Sequence, residues 1–343
     1  MMHSVKNLLA INASIFQNTA ESIPDLSPQP IRYLHQDKII WKLGDVEHYR
    51  EIDEPFPNFL LYLLKGVLGK QWADTQYSLS ENEQHVILRW LNLLSAQFNE
   101  AIANDKSSNP LIRLMPSGNA LELMSLADDI YRLLLANALH PKMINRIKNY
   151  EEFQGARYEC MIAASFIKAG FAIQWQTGTK KQCEFIAKHR RTNEIIAVEV
   201  KSRRRRGTLN WRGDRECPNT LRTDVEHLYE KALTQCPDNI PCGIFIDVNL
   251  PPLSRDNYSL VGWFDEIKEF LTKYPEHTGH NPAKESFLIF TRRSWHYSES
   301  ERGKGKNQVS TLPLFVHESI KNSNTVPYLL KAIDPIFEVP KYL

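Results

Sequence analysis

Four charged side chains follow one another within about forty residues of this 343-residue chain, and their types suit phosphate-ester chemistry: Glu159, Glu184, Glu199 and Lys201. Hydrolysing a phosphodiester needs a water made nucleophilic near neutral pH and a counterweight to the extra negative charge on a phosphate. Carboxylates alone repel that substrate. Carboxylates holding a hard divalent cation reverse the local field, because oxygen ligands suit Mg²⁺ and the ion lowers the pKa of its water. Each residue also has a plainer reading. Glu159 is alternatively a glutamate at the edge of a buried stripe, and Glu199 with Lys201 is alternatively a salt-bridged pair at a strand end.

The elements that must position these groups are readable from periodicity. Phe153, Ala156, Cys160, Ala163, Ala164 and Ile167 recur at helical spacing over 153–167, and Gly170 is placed to end the helix in a left-handed conformation. Gln154, Arg157, Tyr158, Ser165 and Lys168 share the opposite side, which is expected to be solvated. Glu159 falls instead between Ala163 and Phe166 in the apolar arc, where an unpaired carboxylate requires a cation, a donor or a wet cleft. Phe171–Trp175 alternates as a strand, 183–187 forms a second short apolar run, and 188–193 reads as a hairpin loop. The run from Ile195 to Val198 is too apolar for an edge strand. Its alternation puts Ala197, Glu199 and Lys201 on one face, so carboxylate and ammonium leave the strand side by side.

In that order, helix glutamate, strand acid, hairpin, then Glu199-Val200-Lys201 on a buried strand, the segment resembles the PD-(D/E)xK, or restriction-endonuclease-like, nuclease superfamily. The resemblance spans roughly 150–291. It departs from the usual pattern at Cys183-Glu184, where the superfamily commonly has Pro-Asp. It implies a mixed central sheet flanked by helices, an α/β restriction-endonuclease-like core, and a Mg²⁺ cofactor with Mn²⁺ as an alternative. Glu184, Glu199 and the Val200 carbonyl would be ligands, and Glu159 would hold a second metal or an outer-shell water. Lys201 would orient the water and the scissile phosphate. The implied activity is phosphodiester hydrolysis, with DNA as the expected substrate and an endonuclease as the expected type; the alternative is an inactive nucleic-acid-binding or scaffold protein on the same fold.

Directly after Lys201 comes a basic run, Arg203, Arg204, Arg205 and Arg206, followed by Arg212 and Arg215. Beside a phosphodiester site it is expected to grip a polyanion backbone, setting affinity rather than sequence choice. A second amphipathic helix is expected over 221–236, with Lys231 and Gln235 flanking its buried stripe as secondary site candidates. Strands are expected at 242–248 and 286–291 with a helix at 263–274, an antiparallel meander followed by crossovers.

The first 145 residues show no run resembling those strands, and a mainly helical N-terminal domain (1–145) is expected before the nuclease-like domain (146–343). Helices are anticipated at 59–64, at 81–103 behind a Ser80-x-x-Glu83 capping box, and at 121–138. Residues 1–149 hold 14 Lys and Arg against 16 Asp and Glu, so the remainder of a chain of net charge +2 carries +4. The helical half is therefore expected to shape the cleft, to form a homodimer or to meet a protein partner. Five scattered cysteines without a CxxC pair suggest reduced thiols and a cytoplasmic setting. Neither a membrane span nor a signal-peptide pattern is present in the sequence. His277-x-x-His280 lacks the companions of a zinc site, and Gly303–Lys306 lacks the spacing of a phosphate loop.

Overall fold

The computed structural model describes residues 26–104, 114–178, 182–215, 221–251, 262–273, 286–293, 295–298, 309–315 and 325–333. Its centre is a six-stranded mixed sheet of β4 (Phe171–Trp175), β5 (Phe185–His189), β6 (Ile195–Ser202), β7 (Cys242–Asp247), β8 (Phe287–Arg293) and β9 (Val309–Phe315), lying side by side in that order. The first three pair antiparallel, β6, β7 and β8 run parallel, and β9 returns antiparallel. The parallel steps need crossovers. Two of them are α7 (Val225–Leu233) and α8 (Gly262–Lys273). The meander followed by crossovers that the periodicity predicts is present; β9 was not anticipated.

Two cores cover the sheet. On one face Val198, Val200, Phe245, Phe287 and Ile289 pack against α6 (Phe153–Lys168). On the other, Ala197, Ile244, Ile246, Leu288 and Phe290 meet Val225 and Tyr229 of α7 and Ile267 and Phe270 of α8. Gly243 is required by close approach, since a Cβ there would stand 2.3 Å from Cζ of Phe287, its register partner on β8.

The helix α6 differs from its expected one-sided amphipathicity. Gln154, Arg157, Tyr158 and Ser165 are all buried, because the N-terminal helices, the loop after β6 and the end of β8 close over the side that the sequence assigns to solvent. Burial without partners would cost several kcal/mol in total, on the order of 1–3 per group, and each side chain has at least one partner. Arg157 pairs with Asp129 at 2.6 Å, the Thr291 hydroxyl donates to Tyr158 Oη at 2.8 Å, and Ser165 donates to the Met161 carbonyl at 2.9 Å. Gly170 ends the segment at φ +90° as predicted.

The N-terminal half contains α1 (Phe56–Leu68), α2 (Lys70–Tyr77), α3 (Val86–Asn104), α4 (Gly118–Leu135) and α5 (Pro141–Lys148). The expected capping box does not open α3. Glu83 and Gln84 donate their amides to the Ser80 carbonyl at 2.8 and 3.0 Å in a separate turn, and the helix starts later. Leu60, Leu64, Leu123 and Ile130 join the α6-side core, so one apolar cluster runs across the boundary expected at 145, which itself falls inside α5.

The N-terminal half, expected to be mainly helical, also holds a three-stranded antiparallel sheet that was not anticipated: β1 (Ile31–His35), β2 (Lys38–Leu43) and β3 (Val46–Glu51). Its strands bury only a thin stripe, Ile40 and Leu43, while β1 is exposed along its whole length. That leaves little alternation to read. The turns carried the signal: Gln36-Asp37 and Gly44-Asp45 are two-residue loops whose first residue takes a positive φ.

Cys236 and Cys242 form a disulfide, overturning the expectation that all cysteines are reduced. The bridge links the loop after α7 to the start of β7, a closeness created by the crossover and invisible as a CxxC motif. Cys160 and Cys183 are free and buried. Among the described residues no helix is long and apolar enough to cross a membrane. Cys217, His277, His280 and the Gly303–Lys306 stretch lie outside the described residues.

Candidate active site

Glu184 and Glu199 are brought together by strand register. Phe185 pairs with Val198, so one step further sets Glu184 opposite Glu199, and the Glu184 amide donates to the Val198 carbonyl at 2.9 Å. The chain bends at Glu184 just before β5. Glu199 itself is fully buried. Its Oε1 accepts from Lys201 Nζ, the side-by-side arrangement that alternation along β6 predicts. Its Oε2 is buried and has no hydrogen-bond partner.

Lys201 has a second tether. Its Nζ donates to Gln235 Oε1 at 2.7 Å, and the Gln235 amide donates to the Gln182 carbonyl at 3.0 Å. Gln235, a secondary candidate from helix geometry, thus stands in the site just past the end of α7. Lys231, named beside it, is exposed.

Glu159 is placed differently from its expected role. Its apolar position on α6 required a cation, and the cation is Arg146 of α5, which holds both carboxylate oxygens, Nη2 donating to Oε1 at 2.7 Å and Nη1 to Oε2. Both of its oxygens thus face a guanidinium, where the expected partner was a second metal or an outer-shell water. Arg146 was missed because it lies thirteen positions before Glu159, on a separate short helix, with no motif linking the two.

The electrostatics record a shortage of positive charge. Burial pushes the Glu184 carboxyl up to about 8, the neighbouring charges of Glu159 and Glu199 push the same way, and Lys201 and Arg146 offset this only in part. Burial also raises Glu199, to about 7, against the pull of Lys201. Three carboxylates share two fixed cations here. Proton retention removes the surplus negative charge, and a divalent cation would do so more strongly.

Whether these residues fit such an ion can be tested on the orphan oxygen. Mg²⁺ usually keeps several waters and takes only one or two carboxylates. Glu184 with the unpartnered Oε2 of Glu199 fits that habit, with the Val200 carbonyl adjacent in sequence. A dedicated cage is absent: among the described residues no group of three or more His, Cys, Asp or Glu is arranged to hold a metal.

The basic run after Lys201 divides. Arg205 is 1% exposed, donating to the carbonyls of Asn249, of Arg222 at 2.7 Å and of Val248 at 3.1 Å, so it is a structural clamp and not the polyanion contact expected of it. A guanidinium with five fixed donors suits a cluster of carbonyls at a loop base. Arg203 pairs with Asp224 at 2.6 Å. Arg204, Arg206 and Arg212 are exposed. The loop that carries them is pinned to the first turn of α6, where the Gln154 amide donates to the Arg205 carbonyl at 2.8 Å and the Thr208 carbonyl at 2.7 Å.

No protein-family model, curated protein or solved structure matches this chain.

Proposed function

We propose that the chain is a divalent-metal-dependent nuclease of restriction-endonuclease-like architecture, acting on DNA. The observation that carries this reading is the buried, unpartnered Oε2 of Glu199, set opposite Glu184 and beside a lysine with two tethers. Glu184, Glu199 Oε2 and the Val200 carbonyl would hold Mg²⁺ or Mn²⁺. When bound, such an ion acidifies a water and offsets charge on the phosphate. Lys201, fixed by Glu199 and Gln235, keeps its remaining donor capacity for the attacking water or a phosphate oxygen. The Arg146–Glu159 pair buttresses the acids from the helix side, and Arg204, Arg206 and Arg212 supply backbone affinity.

A second reading, a nucleic-acid-binding protein with a silent site, draws on one fact: both oxygens of Glu159 are engaged by Arg146. Plasmid and linear DNA incubated with Mg²⁺ separates the two. The nuclease reading expects cleavage that stops with a chelator and falls by about 10²–10³-fold in Lys201→Ala, with the circular dichroism spectrum unchanged. Cleavage at the wild-type rate in Lys201→Ala would contradict it, and no cleavage by the wild type in either metal would favour the silent site.

A further inference from the structure

A cleft of about 650 Å³ is lined by Lys148, Tyr150, Arg204, Asn210, Trp211 and Arg212. We propose that it binds one or two unpaired nucleotides of a single-stranded segment, stacking a base on Trp211 or Tyr150 and holding its phosphate with Arg204, Arg212 and Lys148. This deepens the nuclease reading and rests on it for the identity of the polymer.

Four observations carry the proposal. The lining combines two half-buried aromatic rings with three cations against one acid, Glu151, the composition by which proteins bind single strands without reading sequence. Each ring is already matched to a guanidinium, Arg204 at 5.5 Å from the Trp211 centroid and Arg212 at 5.9 Å from that of Tyr150. A stacked guanidinium presents its N–H edge to phosphate.

Asn210 supplies a further sign. Its Oδ1 accepts the Val86 amide at 2.6 Å, while its amide Nδ2 is buried without an acceptor. An unmatched donor in a cleft wall is a place for a base carbonyl or a phosphate oxygen. The last observation is position. Arg204 follows Lys201 by three residues, at most about 10 Å of extended chain, and Lys148 follows Arg146, the partner of Glu159, by two. Two separate stretches of backbone therefore lead from the acids to the cleft. Its volume lies within the range of roughly 300–1,000 Å³ typical of sites that enclose a small ligand, which matches one or two nucleotides and not a duplex.

Fluorescence anisotropy with a labelled single-stranded 12-mer in EDTA tests this independently of cleavage. Trp211→Leu keeps bulk but removes the π face, and is expected to weaken single-strand binding by about 5- to 150-fold, the equivalent of losing one stacked base. Trp211→Phe should retain most of the affinity, and Arg212→Ala should lower the salt slope by about one. The proposal is overturned if Trp211→Leu and Trp211→Phe bind as the wild type does, or if a blunt duplex of the same sequence competes as well as the single strand. Tight, Trp211-dependent binding by a protein that never cleaves would retain the cleft and reject only the nuclease reading.

Discussion

Glu199→Gln is expected to make the metal-free protein more stable at pH 8 while lowering Mg²⁺-dependent cleavage by about 10²–10³-fold. Both effects come from one carboxylate. Burial raises its folded-state pKa to about 7, and Glu184 beside it to about 8, against an ordinary value of 4.5. A carboxyl whose pKa is raised on folding binds more protons in the native state between those values, so wild-type stability declines as pH rises from about 4.5 through 7 to 8. Below that window the group is protonated in both states and costs nothing. A neutral glutamine removes the penalty, giving a gain on the order of 1–3 kcal/mol at pH 8 and little difference near pH 4.5. Urea denaturation in EDTA at the two pH values reads the first effect, and plasmid nicking in Mg²⁺ reads the second. A variant less stable than wild type at pH 8, with cleavage intact, would mean that Glu199 serves only as Lys201's structural partner.

Arg205→Ala is expected to cost about 3–5 kcal/mol, the scale for leaving several buried carbonyls without their donor at about 1–3 kcal/mol each. The guanidinium is fully buried and serves carbonyls of Val248, Asn249 and Arg222, which no water would replace without opening the loop base. Arg204→Ala and Arg206→Ala, both exposed, should stay within about 0.5 kcal/mol. Thermal denaturation of the three variants separates them. Equal, small losses in all three would make the run a uniformly solvated basic loop, and Arg205 a nucleic-acid contact after all.

That contrast marks the limit of what the sequence made legible. Alternation on Ile195–Ser202 was enough to put Glu199 and Lys201 on one face, and the apolar arc of 153–167 was enough to say that Glu159 needed a partner. These are local facts, set by periods of two and 3.6 residues. Arg146 on Glu159 and the burial of Arg205 are meetings of separate elements, the Cys236–Cys242 bridge spans only six residues but depends on how the chain turns from α7 into β7, and four consecutive arginines look alike until packing distinguishes them. The solvated face expected for α6 failed for the same reason. Gln154 and Arg157 are polar because carbonyls of the loop after β6 await the first and a carboxylate of α4 the second, and polarity alone cannot tell a matched interior from water. The small N-terminal sheet escaped because its strands are mostly exposed, while its two turns alone had the local signature.

The central claim is that Glu184 and Glu199 form a proton-holding pair awaiting a divalent cation. Calorimetric titration of Mg²⁺ near pH 7, run in two buffers of different ionisation enthalpy, tests it most directly. Saturable uptake with release of about one proton per ion is expected, because ligand carboxyls must deprotonate to bind, together with loss of both signals in Glu184→Ala. Uptake without proton release, or uptake that survives Glu184→Ala, would contradict it.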